Sequence, residues 1–254
     1  MEVPILNEAE IPPLADLKLV AASLDGDARF EKLNAMIRSA SVAQSCHSDL
    51  AEAAHTIEAL EELLKSPRKK GSTVRSTTEC ALQFNAISLY TRATATAAKH
   101  GERGAIQVRG KLSPLAQIDH DIVVGARNRA IAHVYSEEAI GERIWHRDHL
   151  LVQKFDDGWV PLGYTNRVQV DRNMINRLTT LVPVAREIVN AAFQKRVKAI
   201  MNLMNDNVVP EAVFQAARVD PLLFYGSREE AMRAAHGRHL GQVHGFARGL
   251  SLRE

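Results

Sequence analysis

Residues 49–65 read DLAEAAHTIEALEELLK. Leu50, Ala53, Ile57, Leu60 and Leu64 recur there at spacings of three and four, with acidic and polar residues between them. At 3.6 residues per turn such spacings return the chain to one face, so the pattern predicts an amphipathic α-helix with a single buried stripe. Alanine and glutamate, both good helix formers, fill the remaining positions. Towards the N-terminus, Asp27 supplies a helix cap. Towards the C-terminus, Ser66-Pro67 ends the helix, because the residue before a proline is pushed out of the helical region.

The same logic extends along the chain. Ser76-Thr77-Thr78-Glu79 fits a capping box opening a second helix. That helix carries Leu82, Ala86, Leu89, Ala93 and Ala97 on one face and stops at Gly101. Ser113-Pro114 is a cap followed by proline at the first helical position. The third helix then points Leu115, Ile118, Ile122 and Ala126 inward and leaves His120 on its solvent side. After residue 145 the period changes. His149 to Phe155 and Trp159 to Leu162 read as strands around Asp156-Asp157-Gly158, a hairpin turn. Pro161 marks an edge strand, and Arg167 to Val170 a third short strand. Asp171 caps a fourth long helix, reaching about residue 205 and kinked at Pro183. Two shorter helical pieces follow Pro210, the second opening at Ser227.

These elements predict a mainly all-α fold. Residues 27–205 form a four-helix up-down bundle with a small β-hairpin, at about 145–170, between helices three and four. Residues 1–26 are an N-terminal arm, and residues 206–254 a helical C-terminal extension and tail. In an up-down bundle the end of helix three lies beside the loop between helices one and two. That loop is basic, with Arg68, Lys69, Lys70 and Arg75. It is expected to contact RNA next to whatever stands at residues 127–133.

Composition narrows the function classes. Of 254 residues 46% are apolar, which excludes global disorder. A net charge of +2 is too small for a protein that coats nucleic acid, so any such contact must be local. Cys46 and Cys80 are outside any C-x-x-C pair and read as free thiols in a reducing compartment. The first thirteen residues lack a basic and apolar leader pattern, and no apolar run reaches the length of a membrane span. The expectation is a cytoplasmic protein with no membrane contact. His236, His239 and His244 lack accompanying cysteine or acidic ligands, so no metal and no cofactor is expected.

Helix three ends in Arg127-Asn128-Arg129-Ala130-Ile131-Ala132-His133. Here the inward stripe turns polar, and arginine is rarely buried without a partner. Arg127 and His133 are six positions apart, with five residues between them, and lie about 120° apart on an ideal α-helix. Arg129 and His133 are four apart and share a face. A histidine here either caps the last helical carbonyls or does chemistry.

The pattern resembles the signature of the HEPN superfamily: an arginine, an adjacent polar residue, and a histidine with four to six residues between arginine and histidine. The likeness covers roughly residues 27–205, in which the motif ends helix three and a hairpin precedes helix four. It implies a metal-independent endoribonuclease in a prokaryotic toxin or phage-defence role. It further implies a homodimer whose two motifs face each other, with a cognate antitoxin or defence-system protein as a further partner. His133 would be the general acid/base, Arg127 the phosphate clamp and Asn128 the positioning donor. Arg129, Glu79 and Tyr135 are candidate assistants. Two rival readings remain: a HEPN-like dimeric module that binds RNA, nucleotide or protein without cleaving, and a structural bundle in which residues 127–133 only end a helix.

Overall fold

In the computed structural model, residues 13–67, 71–97, 103–133, 138–156, 158–168, 170–206, 209–229 and 231–232 are described. The fold is mainly helical. The chain forms two compact units, one of residues 1–44 with 192–254 and one of residues 45–191. The boundaries fall inside two 35-residue helices, α2 (Glu31–Lys65) and α5 (Arg172–Asp206).

In the first unit a short strand β1 (Leu14–Ala15) leads into α1 (Leu17–Ser23), capped by Asp16, whose side chain accepts from Lys18 N. Asp27 caps a 3-10 turn, Ala28–Phe30, that runs into α2. After α5 come α6 (Glu211–Ala216), a strand at Arg218–Val219 and α7 (Pro221–Tyr225). β1 pairs antiparallel with that late strand, Leu14 opposite Val219. Val20, Leu24, Phe30, Leu33, Ile37, Ile200 and Val209 form the core of this unit. The arm is thus anchored on the C-terminal extension, a pairing between distant stretches that no local pattern reveals.

In the second unit the opening stripe behaves as expected: Leu50, Ala53, Ile57 and Leu60 are all buried. Helix α3 (Thr73–Thr94) starts earlier than the capping-box reading placed it. Ser72 is its cap and accepts from Arg75 N. Glu79 instead lies inside the helix, 2% exposed, bound by Arg75 of the previous turn. The helix also ends before Gly101, at Thr94. Residues 105 and 106 return along its end, with Ala105 N on Thr96 O and Ile106 N on Ala93 O. Burial of Ile106 and Val108 secures that return.

Helix α4 (Pro114–Ala126) begins at Ser113 as read from the sequence, but its buried face is a different one. Leu115 and Ile118 are exposed, while His120, Val123, Ala126 and Ala130 are buried. The face is decided by a polar contact that hydropathy cannot register: Tyr90 Oη lies 2.8 Å from His120 Nδ1, both side chains inside the core. Burial pushes the His120 pKa down and the Tyr90 pKa up.

Beyond α4 lie two antiparallel hairpins. The small one joins β2 (Ala139–Ile140) to β3 (Arg143–Ile144). The large one joins β4 (His146–Phe155) to β5 (Gly158–Arg167) in a register running from His146 opposite Arg167 to Phe155 opposite Gly158. It is longer than the sequence patterns indicated. Val168 and Val170 form no third strand. Val168 N instead binds Trp145 O, which anchors the chain beside a fully buried tryptophan. Asp171 caps α5 as expected, its Oδ1 accepting from Asn173 N. Met174, Ile175, Leu178, Leu181, Val182, Ala185 and Val189 supply the α5 share of the core. No helix among the described residues is long and apolar enough to cross a membrane.

Candidate active site

The motif falls where α4 changes its winding. Residues Arg127–Ile131 form a π-helical turn, closed by Ala132 N donating to Arg127 O at 2.8 Å. Such a turn carries one extra residue, and single π turns occur often at functional sites. Ala126 and Ala130 anchor it in the core. Wider winding alters which side chains share a side. Residues five apart come closer in angle than α-helical winding allows, as Arg127 and Ala132 do across the closing bond. Arg127, Asn128 and His133 are all exposed. Arg127 Nη1 donates to Asn128 Oδ1 at 3.1 Å. With its oxygen so occupied, the Asn128 carboxamide presents its NH2 as a donor.

Arg129 is differently employed. Its Nη1 lies 3.5 Å from Glu138 Oε2. Its guanidinium packs over Gly125, where a Cβ would stand only 3.0 Å from Arg129 Nη2. The side chain is half-buried along the helix.

A polar chain holds the π turn from below. His146 Nε2 lies 2.7 Å from Ala130 O, and Arg167 Nη1 lies 2.7 Å from His146 Nδ1. Arginine only donates, so Nδ1 accepts and the ring carries its proton on Nε2, donating to Ala130 O. Arg167 Nη2 in turn binds both oxygens of Asp148, at 2.8 and 3.1 Å. The last carbonyls of a helix have no partner within it, and His146 supplies one from the hairpin.

Beside this chain opens a cleft of about 930 Å³ lined by Glu79, Arg143, Arg147, Asn166, Arg167 and Asn173, among others. Arg143 lies 3.5 Å from Asp171, and Arg147 is exposed. Glu79 reaches the cleft but is bound to Arg75, whose Nε donates to it at 2.7 Å. Arg75 also donates to Pro67 O, Ser66 Oγ and Leu63 O, so its guanidinium ties the end of α2 to the start of α3. Arg68, Lys69, Lys70 and Tyr135 lie outside the described residues. The structure therefore brings Arg127, Asn128 and His133 to one exposed helix end, and employs Arg75, Glu79 and Arg129 in internal contacts.

His146, Asp148 and His149 stand outside the motif, and no local spacing assigns them a role. A signal was present: a register that sets Phe155 opposite Gly158 also sets His146 opposite Arg167. His149 stacks on Tyr164 across the same ladder, with ring centroids 6.0 Å apart. Among the described residues no three histidine, cysteine, aspartate or glutamate side chains are grouped to hold a metal ion. Cys46 is buried, Cys80 is half-buried, and neither is in a disulfide. No protein-family model matches the chain, and neither a curated protein nor a solved structure matches it.

Proposed function

We propose that this protein is an endoribonuclease that cleaves RNA without a metal, at Arg127, Asn128 and His133. The observation that carries this reading is the exposure of all three side chains at the π-helical end of α4, with Arg127 bonded to Asn128. In the proposed reaction the ribose 2′-oxygen attacks the adjacent phosphorus as its proton passes to a base. The bond from phosphorus to the 5′-oxygen breaks, and that oxygen takes up a proton. The products are a 2′,3′-cyclic phosphate and a 5′-hydroxyl. His133 would move these protons, because an imidazole ring can accept a proton at one nitrogen and donate from the other. The Arg127 fork would hold the non-bridging oxygens. The Asn128 NH2 would donate to the same phosphate.

Two copies acting together, RNA as the substrate, a toxin or antiviral role with a cognate protein partner, and a cytoplasmic setting complete the proposal. The first three follow from the resemblance of the motif to HEPN ribonucleases, and the setting from the two cysteines outside any C-x-x-C pair. The test is cleavage of a mixed RNA pool, in EDTA, by wild type and by His133→Ala checked for equal folding. The wild type is expected to cut, and the variant to lose roughly 10²- to 10⁴-fold in rate. Undiminished cleavage by His133→Ala would remove this histidine from the chemistry.

A second reading is favoured by the arginine-lined cleft: RNA or nucleotide binding without cleavage. It predicts that wild type and His133→Ala bind RNA equally, and that neither cuts.

A further inference from the structure

The β4–β5 hairpin is a ribbon of two ten-residue strands, and among the described residues no third strand joins it. Its apolar side chains cover both faces. Leu150, Val152 and Trp159 lie on one face at 83, 61 and 65% exposure, and Leu151, Phe155 and Leu162 lie exposed on the other. A two-stranded ribbon is marginal in water on its own, and a concentrated exposed apolar surface marks a site of association. The two strand edges are not equivalent. β5 carries Pro161 near its middle, where an N–H is missing. β4 has no proline, and alternate residues turn their backbone groups away from β5. The edge open to further pairing is β4.

We propose that β4 pairs antiparallel with β4 of a second copy of this chain, about a two-fold axis at Leu151, to make a four-stranded sheet. The sequence of the strand supports this occupant. Leu150-Leu151-Val152 stands at the centre, with Asp148 three residues before Leu151 and Lys154 three residues after it. In a self-pairing centred on Leu151, Leu150 faces Val152 of the second copy, and Asp148 faces Lys154 of the second copy. Each pair occurs twice, as a two-fold contact requires. Shifting the axis by half a residue either way sets Lys154 against Arg147 or His149 instead. Opposite charges directly across a ladder stabilise it, and like charges do the reverse. Asp148 is already bound by Arg167, but a carboxylate accepts more than two hydrogen bonds. Lys154 is held over the Trp159 ring, 5.5 Å from its centroid, on the face that Asp148 shares. Four strands exceed the three at which a sheet becomes stable by itself. The proposal stands on the hairpin alone and requires no cleavage activity.

The test uses the full chain. Sedimentation should give a dimer at micromolar concentration. In Leu151→Cys the two new thiols are on residues directly opposite, with Cα atoms about 4.5–5.5 Å apart, within disulfide reach. Mild oxidation should cross-link this variant and leave Phe155→Cys uncross-linked, Cys46 and Cys80 being present in both. Lys154→Asp should weaken the dimer about tenfold or more by setting like charges across the ladder twice, and adding Asp148→Lys should restore it. Folding is checked by circular dichroism, and the cross-link decides the matter if the double variant does not fold. A chain that stays monomeric at tens of micromolar overturns the proposal and leaves a different protein as the occupant. Cross-linking no faster at 151 than at 155, or a dimer indifferent to Lys154→Asp, overturns it equally.

Discussion

His146 Nε2 donates to Ala130 O at 2.7 Å, so the first residue of the long hairpin closes the turn that carries the motif. The same ring accepts from Arg167 on the neighbouring strand. The π turn is therefore held by tertiary contact as well as by its own backbone bond. His146→Ala leaves a helix-end carbonyl and a guanidinium short of a partner. We expect a loss of about 1–3 kcal/mol in urea unfolding. If the proposed chemistry holds, RNA cleavage also falls, although this side chain ends on Ala130 and not on the exposed motif.

The two arginines of the motif should separate by experiment. Arg127 is exposed and, among the described residues, is bonded to its neighbour Asn128, whereas Arg129 is engaged with Glu138. Arg127→Ala is expected to reduce RNA cleavage sharply at nearly unchanged stability. Arg129→Ala should change stability by less than about 1 kcal/mol, since a half-exposed ion pair contributes little. It should leave most of the cleavage intact. Equal losses from both variants would return the question of the working arginine to balance.

Gly125 offers a stabilising substitution with a local effect. It lies within α4, where glycine is about 1 kcal/mol less favourable than alanine. The atom nearest to a new Cβ is Arg129 Nη2, the far end of a flexible side chain. Gly125→Ala should raise the thermal midpoint while displacing the Arg129 guanidinium from its place over the helix. Differential scanning calorimetry checks the first part, and the salt dependence of the Arg129–Glu138 contact checks the second.

Arg75 and Glu79 form a nearly buried ion pair, with side chains 11 and 3% exposed. Removing one partner strands the other charge away from water. Glu79→Ala is expected to cost about 3–5 kcal/mol. Arg75→Leu should also lose the contacts that close the end of α2. A Glu79→Ala protein as stable as wild type would show that the carbonyls of Leu63 and Pro67 satisfy the Arg75 guanidinium without the carboxylate.

His120 gives the fold a dependence on pH. Burial lowers its folded pKa, with Arg109 acting in the same direction and Asp121 opposing it. The unfolded chain therefore binds a proton more readily than the folded one. Stability contributed by the neutral ring is present above the ordinary histidine value near 6.5 and is lost as pH falls below it. His120→Gln should flatten the fall of the unfolding midpoint below about pH 6.5 relative to wild type.

The sequence by itself determined the helical class, the long first stripe of α2, the Ser113 and Asp171 caps, and the turn of the large hairpin. Each is a local matter: a 3.6-residue period, one side chain bonding a nearby amide, or a glycine at a turn with positive φ. It also singled out the Arg127–His133 stretch by residue type alone. Tertiary structure decided the rest. The buried face of α4 is set by Tyr90 meeting His120 from another helix, so the apolar residues Leu115 and Ile118 face outward despite their period. The start of α3 is set by Ser72, while Glu79 binds Arg75 within the helix, not at its cap. The π turn that gathers the motif depends on buried Ala126 and Ala130 and on a histidine sixteen residues beyond Ala130. A hydrogen bond between residues distant in sequence leaves no periodic trace, because its partners meet only after the helices and strands have packed.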